Sequence, residues 1–94
     1  MNKEEFKAKA AQSIDEVAAK IEELKAKKES VEHHVKSDYD QALKTLGIKK
    51  DEIQAKYDDL KNASEDKWDE AKKAFSSASD SFKEGLSKIS SFFS

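Results

Sequence analysis

The sequence predicts an all-α protein folded as an antiparallel two-helix hairpin, a short coiled coil that pairs with a second copy into a four-helix bundle. Three observations lead there. The 94 residues are 40% charged and 36% apolar, contain no Pro and only two Gly, and are filled with the strong helix formers Ala, Lys, Glu, Leu and Gln. Apolar residues recur at steps of three and four along nearly the whole chain. Gly47 stands at the midpoint, dividing that stripe into two parts of matching length.

The first helix is expected over residues 3–46. Asn2 can cap it while Glu5 reaches back as the third helical residue, and Met1 can staple onto Phe6. Its stripe runs Phe6, Ala10, Ile14, Val17, Ile21, Leu24, Val31, Val35, Tyr39, Ala42 and Leu46. Lys28 occupies the core phase between Leu24 and Val31, the one gap in this stripe, and must either snorkel or pack its aliphatic stem against something large.

A turn is expected over 47–50. Gly47 follows Leu46 as a left-handed residue after a helix would, and Ile48 is the apolar residue that completes a Schellman motif. Leu46 and Ile53 are also in phase across Gly47, so one uninterrupted helix, about 135 Å long at 1.5 Å per residue, is the competing reading.

The second helix is expected over 51–91, with Asp51 as cap and Gln54 in the box position. Its stripe is Ile53, Tyr57, Leu60, Ser64, Trp68, Ala71, Phe75, Ala78, Phe82, Leu86 (or Gly85), Ile89 and Phe93. A second break is possible near 62, where Asn62 and Glu65 could form a capping box. Folding the halves together about Gly47 sets Val17 by Ala78, Leu24 by Ala71, Val31 by Ser64, Val35 by Leu60 and Ala42 by Ile53, so that large meets small. Lys28 then falls opposite Trp68, the chain's one tryptophan, whose indole would cover the lysine stem.

The stretch LKNASEDKW, with Leu60, Lys61, Ala63, Ser64, Glu65 and Trp68, resembles a group of small bacterial coiled-coil proteins labelled stress-response proteins. The chain departs from that pattern in having Ser79 where relatives carry a second tryptophan, and in its tail rich in Ser and Phe. The resemblance implies a helical, stress-linked protein and lends no catalytic residues.

Composition also excludes functions. All eighteen basic residues are Lys against twenty acids, a formal charge of −2, so neither a basic face nor Arg is present for nucleic-acid contacts. No Cys is available for a disulfide, a thiolate metal site or a nucleophile. The N-terminus is charged at once and no stretch is apolar enough to span a membrane, so a cytoplasmic location is expected.

His33 and His34 point about 100° apart on a helix, and the spacing of Glu29 with His33 or His34 with Asp38 offers at most two metal ligands. The acidic pairs Glu22-Glu23, Asp58-Asp59 and Asp69-Glu70 are flanked by lysines at helical spacing and read as solvated ion pairs. Neither an enzyme, a cofactor nor a metal site is expected.

A two-helix hairpin buries only one narrow stripe per helix, so it is expected to self-associate as a homodimer or higher homo-oligomer, or to dock on partner helices. Trp68, Phe75, Phe82, Tyr39, Tyr57, Ile21 and Leu24 are the residues expected to form the core and interaction surface. The expected function is a non-enzymatic helical interaction module. The alternative is a peripheral membrane-surface protein acting through its C-terminal segment, where Phe75, Phe82, Leu86, Ile89 and Phe93 share a weakly charged amphipathic face and Phe92 lies beside it.

Overall fold

A computed structural model describes residues 2–93 and is all-helical, with no strand among them. Three helices form it: α1 (Lys3–Ala26), α2 (Lys36–Lys61) and α3 (Trp68–Ser90), joined by two short connections. They run up, down and up in a slender bundle of 51 × 18 × 17 Å.

α1 starts as its sequence dictates. The Glu5 amide donates to Asn2 Oδ1 at 2.8 Å, and Asn2 Nδ2 donates back to Glu5 Oε1 at 3.1 Å, so side chains satisfy groups the first turn leaves free. The expected staple from Met1 lies outside the described residues. α1 buries Ala10, Ile21 and Leu24, with Phe6, Ile14 and Val17 packed at the margin of the same core.

The chain turns at 27–35, not at 47–50. A 3-10 turn over Lys27–Ser30 is followed by Val31 and Glu32 in extended conformation and a second 3-10 turn over His33–Val35. The missing apolar residue at Lys28 marks this turn: Ser30, Val31, His33 and His34 are all weak helix formers, and nothing in core phase rewards helix there. Val31 is buried, while Lys28–Asp40 (3.0 Å) and Lys36–Glu29 (3.5 Å) tie the turn to the start of α2.

Gly47 therefore lies inside α2, and no described residue adopts positive φ. The expected helix over 3–46, the turn over 47–50 and the Schellman motif at Ile48 are all corrected by this, and so is the uninterrupted rod. A glycine in a helix interior costs about 1 kcal/mol, less than the apolar surface at stake. Continuing through it places Tyr39, Leu46, Ile53 and Leu60 on one buried line with a spacing of seven. Three helices of similar length also give each apolar stripe two neighbours, whereas a hairpin of two long helices gives it one.

The expected break near 62 is present, with a different cap. Asn62 Nδ2 donates to the Asp58 carbonyl at 2.9 Å and so closes the end of α2, and no capping box with Glu65 forms. A 3-10 turn over Glu65–Lys67 then leads into α3, which buries Trp68, Phe75, Ala78, Phe82 and Ile89.

α2 packs most extensively on α3. Tyr39 meets Phe92 with ring centroids 5.5 Å apart and planes at 83°, and Leu46 lies against Gly85. Both pairs have numbers summing to 131. Stepping by seven, the same register sets Ile53 opposite Ala78 and Leu60 opposite Ala71. Beyond the Tyr39–Phe92 pair, the bulky Leu46, Ile53 and Leu60 of α2 face Gly85, Ala78 and Ala71 of α3, which lets the two backbones approach closely. Large does meet small, but Ala71 and Ala78 take their partners from α2, and the pairing of Leu24 with Ala71 and Val17 with Ala78 is replaced.

Candidate interaction surface

Of the residues expected to carry contacts, Ile21, Leu24, Tyr39, Trp68, Phe75 and Phe82 are buried and Tyr57 is half-buried, all by the chain's own helices. The fold sorts them by height. Leu24 and Tyr39 meet at one end, where the Tyr39 hydroxyl donates to the Leu24 carbonyl at 2.6 Å. Trp68 and Phe75 lie at the other. Between the ends, Phe82 lines a shallow groove along the α1–α3 seam with Val17 and Leu86.

Trp68 is not near Lys28. It opens α3, at the end where α1 begins, and Lys28 lies at the far end of the bundle, paired with Asp40. What surrounds the indole is Phe6, at 5.9 Å and 82°, with Lys3 and Lys7 ammonium groups 5.5 and 5.9 Å from its ring. Phe6 also meets Phe75 edge-on at 6.1 Å. Trp68 thus occupies a polar stretch because it caps an aromatic cluster whose outer wall is lysine stems and ammonium groups. Lys3 reaches on to Glu65 at 2.6 Å, closing the cluster over the α2–α3 turn.

The charged groups behave as a solvated surface. Hydrogen bonds from Lys27 and Lys20 hold the Glu23 carboxyl below its usual range, and Lys3 does the same to Glu65. Glu22 pairs with Lys25, Asp58 with Lys61 and Glu70 with Lys67 at helical spacings. Tyr39 is the exception, since burial pushes its phenol up. His33 and His34 stand exposed on the turn before α2, with His34 Nδ1 3.4 Å from Glu32. Among the described residues there is no cluster of three or more groups able to hold a metal ion, and no charged or polar residue is buried.

The C-terminal apolar face is engaged inside the bundle. Phe75, Phe82 and Ile89 are buried, Phe75 meets Phe6 of α1, and Phe92 rests on Tyr39 of α2. The side chain of Phe93 lies outside the described residues. Among the described residues, no helix is long and apolar enough to cross a membrane.

One surface feature went unseen in the sequence. Ile48 is 60% exposed, the large hydrophobic side chain left open among the described residues. It borders a shallow groove between α1 and α2, floored by Ala18, Ile21, Leu43 and Gly47. A Cβ added to Gly47 would meet nothing within 4 Å, so the bundle itself makes no use of this glycine. The available signal was phase: Ile48 stands two residues past Leu46 and off the stripe that leads to Ile53.

No protein-family model, no curated protein and no solved structure matches this chain.

Proposed function

We propose that this protein is a non-enzymatic helical interaction module that works as a folded bundle and presents the α1–α2 face to its partner. The observation that carries this reading is the exposed Ile48 beside the groove with Gly47, in a molecule whose described aromatic side chains are buried in or packed against its own core. A surface that leaves one apolar side chain open beside a glycine suits the close approach of another helix. The absence of any buried charged group among the described residues favours binding over catalysis, which needs carboxylates or imidazoles with environments that shift their pKa. The link to stress rests on the resemblance carried by Leu60 to Trp68.

A membrane-surface role is the second reading, favoured by the strongly amphipathic character of α3, with Phe75, Phe82 and Ile89 on one side and mostly Ser, Lys and Asp on the other. It requires α3 to leave the bundle, because those side chains are buried in it. Sedimentation of the purified protein with anionic vesicles, read together with tryptophan emission, separates the two. The interaction reading expects the protein to stay in the supernatant with unchanged emission and to increase in mass with concentration. Co-sedimentation with an emission shift, from a protein monomeric in buffer, would replace it with the membrane reading.

A further inference from the structure

The α1–α2 face names its own partner once the charges around Ile48 are placed. We infer that it pairs with a second copy of this chain, α2 crossing α2 antiparallel about a two-fold axis between Gly47 and Ile48; this rests on the interaction reading above.

At 100° per residue, Lys44, Gly47, Ile48 and Asp51 fall within an arc of about 100°, on the side of α2 opposite Tyr39, Leu46, Ile53 and Leu60. A two-fold axis between 47 and 48 pairs residues whose numbers sum to 95. Gly47 of each copy then faces Ile48 of the other, so the side chain that the monomer leaves open enters the space that a missing Cβ leaves.

Lys44 of each copy faces Asp51 of the other, seven residues or about 10 Å along the helix. Lys44 and Asp51 are both exposed and pair with no described side chain of their own chain. One turn further out Asp40 faces Ala55, and two turns out Ser37 faces Asp58, so no like charges stand directly opposite one another. An isologous interface requires that a patch be complementary to itself, and this one is, in size at its centre and in charge on either side. It also gives Gly47 a use that the monomer does not.

Sedimentation equilibrium at low ionic strength tests the register with four variants, all changed at outward-facing positions and checked for helicity. Reversing one charge, Lys44→Glu or Asp51→Lys, converts both ion pairs to repulsions and is expected to weaken the dimer about tenfold. Combining Lys44→Glu with Asp51→Lys restores opposite charges and should return the dissociation constant to within about threefold of the parent. Ile48→Ser should weaken it by at least about tenfold.

A double reversal no better than the single ones, or association unchanged in all four variants, overturns the α2–α2 pairing while leaving a self-associating module that uses another face. A parent chain still monomeric at about 1 mM overturns the second copy as occupant. Vesicle binding by that monomer would remove the interaction reading as well.

Discussion

A Cβ built on Gly85 would stand 2.9 Å from Leu46 Cδ2, too close to persist, and 3.3 Å from Lys49 Cδ, a tight contact that the flexible lysine stem can relieve. Leu46 is fully buried and has little room to retreat. Gly47, one residue further along α2, has open space instead. Alanine at the two positions is therefore expected to act with opposite sign. Gly47→Ala removes a helix-interior glycine at no steric cost within the monomer and, at concentrations too low for the α2–α2 contact to form, should stabilise by about 0.5–1 kcal/mol, raising the thermal midpoint by about 2–8 °C. Gly85→Ala makes the same local gain and loses more by forcing α2 and α3 apart, for a net loss of about 1 kcal/mol. Thermal unfolding followed by circular dichroism reads both. A Gly85→Ala variant as stable as Gly47→Ala would show that the α2–α3 seam has slack.

Trp68→Ala should cost about 3–5 kcal/mol, because the side chain is buried and its loss uncovers Phe6, which in turn packs on Phe75. A double-mutant cycle of Trp68→Leu with Phe6→Leu should report a coupling of about 0.5–1.5 kcal/mol for the edge-to-face contact. Lys28→Ala, at the opposite end, should cost less than about 1 kcal/mol, the worth of its exposed pair with Asp40. Coupling between Lys28 and Trp68 in urea unfolding would place them in contact and contradict this arrangement.

Tyr39 makes the bundle sensitive to alkali. Its hydroxyl donates to the Leu24 carbonyl, which needs the proton in place, and burial raises its pKa above the ordinary value of 10.0. A group whose folded pKa is raised contributes stability that is fully present below the unfolded pKa and is lost as pH rises through the folded one. Stability should accordingly decline above about pH 10. Tyr39→Phe keeps the edge contact with Phe92 and gives up the hydrogen bond, so it should lose about 1 kcal/mol at neutral pH and flatten the alkaline limb. An unaltered alkaline limb in that variant would assign the sensitivity to another group.

Lys3 and Glu65 tie the start of α1 to the α2–α3 turn. The hydrogen bond and charge of Lys3 hold the Glu65 carboxyl below its ordinary value of 4.5, and a depressed pKa contributes stability that is present above the unfolded pKa and lost as pH falls through the folded one. NMR titration should find Glu65 low in the parent and back near 4.5 in Lys3→Met. Since Glu65 is largely exposed, the depression should shrink as salt is added. A Glu65 titration unmoved by Lys3→Met would show that the pair does not persist in solution.

Much was settled by the sequence alone. Helix formers without Pro make the chain all-α, Asn2 and Glu5 start α1, and a break near Asn62 is among the readings the sequence offers; the step of seven from Leu46 to Ile53 offers helix through Gly47 as the competing reading, against the expected turn over 47–50. These are local matters of propensity, capping and period, each decided within about two turns of helix. Only the tertiary structure decided which stripe meets which. Period sets the direction in which a side chain points and says nothing of what it points at, so Ala71 and Ala78 could be matched as well with α1 as with α2. The turn followed from the same competition. Helix through Gly47 costs about 1 kcal/mol, and giving every stripe two neighbours by bending at 27–35 buries far more apolar surface than that cost requires.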